Sequence, residues 1–177
     1  MNSIKGIDDI FVLYEEQISD HFCSMMQGIK NDKVKLVELA EKLASALKDK
    51  KSIIKNIDAI VPIPLHSERE KSRGFNQSYE ISKMVAKKLD IPIISGAIER
   101  TKNTRQLKAL SKEERETEIE EAFNLLGPEL LKGKNLLVID DVISSGTTLS
   151  KFSNYLKQAG AKNIFAAALF KVKIVKV

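Results

Sequence analysis

Cysteine occurs only once in this sequence, at Cys23, and that scarcity excludes two ways of holding a small fold together. Neither a disulfide framework nor a four-cysteine zinc knuckle can be built within one chain, and a reducing, cytoplasmic setting is expected. Long apolar runs are lacking as well. None approaches the roughly 20 residues that a membrane-spanning helix needs, and no signal-peptide pattern is present, so membrane insertion is not expected. Glycine is sparse, with 8 in 177 residues, and its placement excludes the common nucleotide motifs. No Gly-Lys-Ser/Thr follows a spaced glycine as a P-loop requires, and no run of spaced glycines forms a dinucleotide fingerprint. Neither sign of charge dominates. Twenty-nine Lys and Arg stand against 24 Asp and Glu, a net charge of +5. The lysines are scattered among acids as on a solvated surface, which disfavours direct nucleic-acid binding.

The most informative stretch is residues 135–160, NLLVIDDVISSGTTLSKFSNYLKQAG. Leu136, Leu137, Val138 and Ile139 form a short apolar run suited to a strand buried on both faces. Asp140 and Asp141 follow at once. From Leu149 the apolar period changes, and Leu149, Phe152, Tyr155, Leu156 and Ala159 line one face of a helix that stops at Gly160. At the carboxyl end of a parallel strand such a unit opens into the crevice where α/β sheets bind ligands, with the next helix aiming its free N–H groups there. An anion fits at that point. Ser144, Ser145, Thr147 and Thr148 supply hydroxyls, Gly146 permits a tight turn, and the two aspartates can accept hydrogen bonds from vicinal sugar hydroxyls. A diol beside a phosphate describes a ribose 5-phosphate.

VIDDVISSGTT resembles the phosphoribosyl pyrophosphate (PRPP) motif of type I phosphoribosyltransferases. Two further stretches narrow the resemblance to the ComF family of phosphoribosyltransferase-like proteins: VPIPLHSEREKSRGFNQS from Val61, and RTKNTRQLKALSKEERETEIEEAF from Arg100. One position departs, because the family usually carries Asn where this chain has Glu118. The four-cysteine zinc knuckle of many ComF relatives is also missing, so no zinc is expected.

The resemblance implies a set of roles. Asp140 and Asp141 would be the catalytic acids that hold the ribose diol and its ion shell. Ser144, Ser145, Gly146, Thr147 and Thr148 would bind the 5-phosphate. Leu65, His66, Arg69 and Arg73 would form the pyrophosphate loop, a role for which the planar arginine fork is well suited. Thr104, Gln106 and Arg115 would belong to a flexible loop that closes over PRPP. Mg²⁺ would enter with PRPP and not in a protein-only cage. The implied reaction transfers phosphoribosyl from PRPP to an unidentified, nitrogen-centred acceptor with loss of pyrophosphate, and the family links it to DNA uptake and competence. The alternative is a non-catalytic PRPP sensor or accessory protein of DNA uptake. Ser144 stands where purine-salvage members carry an additional Asp, which argues against purine salvage.

The rest of the chain sets the expected architecture. Residues 8–29 suggest a helix, or a short strand followed by a helix. Asn31 and Asp32 can cap a second helix in which Leu36, Leu39, Ala40, Leu43, Ala44 and Leu47 align, ending near Lys48. Residues 58–64 read as a strand, 66–74 as a cationic loop, and the pattern from Phe75 to Leu89 as a helix. A polar segment occupies 100–121, a strand 163–170, and the alternation of lysine with valine or isoleucine in 171–177 suggests an edge strand. We therefore expect an α/β fold, type I phosphoribosyltransferase-like, with a mostly parallel twisted sheet flanked by helices. A helical N-terminal segment at 1–50 would precede a phosphoribosyltransferase-like domain at 51–177. The sequence leaves the oligomeric state open, with a homodimer as one candidate.

Overall fold

The structure is a computed structural model that describes residues 4–17, 19–102 and 122–173. The chain begins with strand β1 (Asp9–Gln17) and continues into helices α1 (Asp20–Asn31), α2 (Lys33–Lys48) and the single turn α3 (Lys51–Ile54). Strand β2 (Ala59–Pro62) leads to α4 (Ser67–Arg73) and α5 (Gln77–Leu89). The short strands β3 (Ile98–Arg100) and β4 (Phe123–Leu125) follow, then β5 (Asn135–Ile143), α6 (Thr147–Gln158) and β6 (Asn163–Lys173).

Four strands form one sheet in the order β1-β6-β5-β2, and every pairing in it is parallel. Beyond β2, Ile93 makes one further parallel bridge to Ile60. Strands β3 and β4 form a separate antiparallel pair. Because side chains alternate across a strand, each central strand feeds two cores. Leu136 and Val138 of β5 pack with Leu149, Phe152 and Leu156 of α6 and with Phe123 of β4. Leu137 and Ile139 face the other way, into Leu36, Leu43 and Leu47 of α2 and Ile81 and Val85 of α5. The continuous apolar run in β5 thus reflects a strand covered by helices on both sides.

The caps explain why the helices start where they do. The Asp32 carboxylate accepts from the Val34 and Lys35 amides at 3.0 and 3.2 Å, satisfying the first turn of α2. Glu80, buried on α5, is paired with Lys33 at 3.2 Å and Lys83 at 2.8 Å. Burial alone would raise its pKa, but the hydrogen bonds from Lys83 and Lys33 outweigh this and leave it lowered. The ion pair with Lys33 ties the start of α2 to α5.

Three expectations are revised. The segment 1–50 is not helical throughout, since Asp9–Gln17 is a strand of the main sheet and α2 shares its core with α5. The cationic stretch after β2 is not an open loop but the seven-residue helix α4. Its N-cap is the His66 side chain, and Gly74 closes it with φ 81°. The third revision concerns β6, which is not an edge strand. It lies between β1 and β5, and Lys171 is paired with both Glu15 and Ile143. Residues 174–177 lie outside the described part of the chain, as do Thr104, Gln106 and Arg115.

Candidate functional site

The carboxyl ends of β2 and β5 open into a cleft of about 400 Å³. Leu65, Arg69, Arg73, Asp140, Asp141, Ser144 and Thr148 all line it. These residues come from two stretches of chain, 65–73 and 140–148, brought side by side by the parallel pairing of Val61 with Val138 and Pro62 with Ile139. Arg69 and Arg73 are one helical turn apart on α4, so both guanidinium groups project from one face of that helix. Arg73 Nη1 donates to Gln77 Oε1 at 3.1 Å, joining α4 and α5 across Gly74, and Asn76 Nδ2 donates to the Ile63 carbonyl at 3.1 Å, tying the start of α5 to the end of β2.

Asp140 and Asp141 do not lie beyond the strand end but within β5, whose ladder with β6 continues to Ile143. The β-branched pair Val142 and Ile143 accounts for this extension. Asp140 Oδ1 accepts from Ser78 Oγ at 3.0 Å and from the Asp141 amide at 2.9 Å. Burial of the carboxyl, and then the neighbouring Asp141 charge, push the Asp140 pKa up to about 8, against smaller opposing effects of those hydrogen bonds. By surface area the residue is only half-buried, but its charge gains little from water at the cleft mouth. A pair of adjacent carboxylates that resists full ionisation because of burial and mutual repulsion would be relieved by a cation bound between them.

The loop after β5 is shaped for an anion. Gly146 occupies the cap position of α6 at φ 76° and offers no capping side chain, and the first turn of the helix contains no acid. The Thr147 N–H donates to Ser145 Oγ at 3.4 Å, and the next first-turn N–H groups have no capping side chain and carry a favourable dipole. Ser145 Oγ and Thr147 Oγ1 lie 2.9 Å apart on the exposed side of this loop, whereas Ser144 and Thr148 face the cleft. His66 is elsewhere. Its Nδ1 accepts from the Glu68 amide at 3.3 Å, and the residue lines an adjoining cavity of about 540 Å³ with Glu70, Tyr79, Ile98 and Phe152.

Two contributors were not singled out from the sequence. Ser78 reaches Asp140 from 62 positions away, and nothing local distinguishes it from any helical serine. Arg100, at the end of β3, lines both cavities, and its Cζ lies 5.7 Å from the Phe123 ring centroid. Burial lowers its pKa and the Asp140 charge partly restores it. Because Ser78 favours ionised Asp140, Ser78→Ala is expected to raise the Asp140 pKa further, and titration of the carboxyl carbon by NMR should show this. An unchanged or lowered pKa would contradict that account.

Metal binding can be tested on the same geometry. Among the described residues no group of three or more His, Cys, Asp or Glu side chains could hold a metal ion. The donor set of Asp140 and Asp141 therefore fits Mg²⁺ only if other oxygens, such as those of a phosphorylated ligand, complete the shell. Among the described residues, too, no helix is long and apolar enough to cross a membrane.

Comparison with known proteins places the fold in a family. Over 129 residues the chain is 33% identical to Competence protein F of Haemophilus influenzae, an alignment covering 71% of this chain and 56% of that protein. It is 33% identical over 104 residues to the DNA utilization protein YhgH of Escherichia coli K12, covering 59% of this chain and 45% of the relative. The chain thus spans about half the length of these curated relatives. In fold it is similar to the glutamine PRPP amidotransferase from B. subtilis, with a TM-score of 0.52 and 18% identity, covering 75% of this chain and 26% of that one. Residues 74–175 match the family described as "Phosphoribosyl transferase domain". With that match covering more than half of the chain and spanning the acidic pair, the hydroxyl-rich loop and α5, this chain belongs to the phosphoribosyl transferase domain family.

Proposed function

We propose that the chain binds PRPP together with Mg²⁺ in the 400 Å³ cleft and transfers its phosphoribosyl group to a nitrogen acceptor, releasing pyrophosphate. The observation that carries this reading is the convergence in one cleft of an acidic pair, an uncapped helix start and two arginines one turn apart. In this reading Ser144, Ser145, Gly146, Thr147 and Thr148 receive the 5-phosphate. Asp140 and Asp141 accept hydrogen bonds from the ribose hydroxyls, while Arg69 and Arg73 draw the leaving pyrophosphate towards α4 with Leu65 beside it. His66 enters this scheme as the cap that starts α4. Thr104, Gln106 and Arg115 would cover the ligand from the segment between β3 and β4.

The transfer breaks the bond between C1 and the pyrophosphate oxygen and forms one between C1 and the acceptor nitrogen, which then loses its proton. No enzyme nucleophile is required, so the protein's part is to orient the ribose, stabilise charge and exclude water. When bound, Mg²⁺ supplies charge neutralisation on the pyrophosphate and ribose oxygens. Asp140 and Asp141 would hold it through those oxygens and water. A cytoplasmic site of action and a role connected with DNA uptake belong to the same proposal.

Isothermal titration with PRPP in the presence and absence of Mg²⁺ tests the binding. Micromolar, Mg²⁺-dependent affinity is expected, and no heat at millimolar PRPP would end the proposal. A second reading is favoured by the relatives' names, which speak of competence and DNA utilization and not of a chemical reaction. Under it PRPP binds without turnover. Pyrophosphate release across a panel of amines and nucleobases separates the two, since the enzyme exceeds an Asp141→Asn control and the accessory protein does not.

A further inference from the structure

Residues 4–8 run along α6 from the hydroxyl-rich loop to the far end of the sheet. At one end Asp8 is fixed twice to β6. Its amide donates to the Ile164 carbonyl at 2.7 Å, its carboxylate accepts from the Ile164 amide at 2.6 Å, and Lys157 adds an ion pair at 3.8 Å. In the middle, the wholly buried Ser153 hydroxyl contacts both the Ser150 carbonyl, at 2.7 Å, and the Lys5 carbonyl, at 3.2 Å. At the other end, Ile4 lies over Gly146. A Cβ placed on Gly146 would stand 2.6 Å from Ile4 Cδ1, a separation that real side chains do not adopt.

Two residue choices in the chain make sense only with this segment in place. The single Ser153 hydroxyl proton is shared between the Ser150 carbonyl of its own turn and the Lys5 carbonyl of the segment. At Ser153 the hydroxyl is positioned against the Lys5 carbonyl. Gly6 has φ 84°, and a Cβ there would collide with Ser153 Oγ, so both conformation and space require glycine. Ile4, Ile7 and Ile10 then pack against the core that contains Phe152 and Leu149. The segment is thus anchored by hydrogen bonds at Asp8 and Lys5 and delivers one apolar side chain to the loop.

We propose that residues 4–8 form a strap that fixes the backbone of loop 144–148, and that Ile4 and Gly6 are positioning residues for the anion site on that loop. The physical argument is that Gly146, with no Cβ, can visit many conformations, and the anion site needs one of them. Ile4 fills the space through which the Gly146 peptide would otherwise move. The anionic group concerned is the 5-phosphate of the proposed ligand, so this part of the inference rests on the preceding reading.

Hydrogen exchange on the ligand-free protein tests the strap independently of PRPP. In Ile4→Ala and in Gly6→Ala the loop-reporting amide of Ser150, which donates to the Gly146 carbonyl at 2.8 Å, should exchange at least about tenfold faster, while those of Leu137 and Val138 keep their protection. Ile4→Leu should restore slow exchange. Loop exchange within twofold of wild type in both variants overturns the strap. So does equal acceleration of loop and strand amides, which would show a general loss of stability. As a second readout, Ile4→Ala should weaken PRPP binding about tenfold. Should wild type bind no PRPP, the functional reading fails while the exchange experiment still decides the strap.

Discussion

Asp140→Asn should make the protein more stable at alkaline pH while lowering its affinity for PRPP and Mg²⁺ about a hundredfold. Both effects have the same source. The Asp140 carboxyl is pushed from 3.8 to about 8 by burial first and by the Asp141 charge second. An unfolded chain releases this proton near the ordinary aspartate value, whereas the folded chain retains it to about pH 8. Between these values the folded state binds more protons, so stability falls as pH rises, with a limiting slope of about 1.4 kcal/mol per pH unit for one proton. Its contribution is fully present below pH 3.8 and is lost as pH climbs through about 8. Asparagine cannot ionise and escapes this loss.

At pH 8.5 the variant should therefore unfold at higher urea than wild type, by on the order of a few kcal/mol, with the difference shrinking towards pH 5. Greater stability of wild type at pH 8.5 would show that the carboxylate is well solvated after all. Ligand binding draws on the ionised form, so wild-type binding below pH 8 should release a proton. Titrations in two buffers of different ionisation enthalpy would detect it. In Asp140→Asn the proton release should vanish along with most of the affinity. A stabilising substitution that disables binding is characteristic of a site whose charges wait for a partner.

Phe152→Ala is expected to have the largest effect on stability alone. Phe152 is fully buried, and its ring lies 5.2 Å from that of Phe123 at an interplanar angle of 58°. Removing it subtracts the transfer energy of the ring and leaves a cavity between α6, β4 and β5, for which losses of about 3–5 kcal/mol are usual. Urea unfolding should show this loss, and one below about 1 kcal/mol would mean that β4 collapses into the space. The same change should disturb the ligand cleft, because β4 supports β3 and with it Arg100.

How far the sequence could be read depended on the distance over which each feature is determined. Helix α2 shows its buried stripe within its own sixteen residues and its cap in the residue just before them, because an N-cap and a 3.6-residue period are local properties. Helix α6 is legible for the same reason, with Leu149, Phe152 and Leu156 buried as their spacing requires. The unit of apolar strand, acidic pair, hydroxyl-rich loop and helix could be recognised without any knowledge of its neighbours. The cation-rich stretch at 66–74 was harder. Its helix buries no residue, so no apolar stripe marks it, and it owes its start to His66 and its end to Gly74.

The lysine alternation in β6 misled because alternation reports one wet face and carries no information on neighbouring strands. Whether a strand is central or at an edge is decided by which segments pair with it, and here β1 and β5 flank it from opposite ends of the sequence.

By itself the sequence determined the local units: the capped helices, the apolar strand that leads into Asp140 and Asp141, and the glycine turn before α6. Only the tertiary structure decided that Ser78 reaches Asp140, that Arg69, Arg73 and Arg100 share its cleft, and that Ile4 rests on Gly146. The reason is that hydrogen-bonded caps and periodic faces are completed within a few residues. A cleft is completed only when sheet register brings distant segments to one edge, and that register is chosen by the two cores on either face of the sheet.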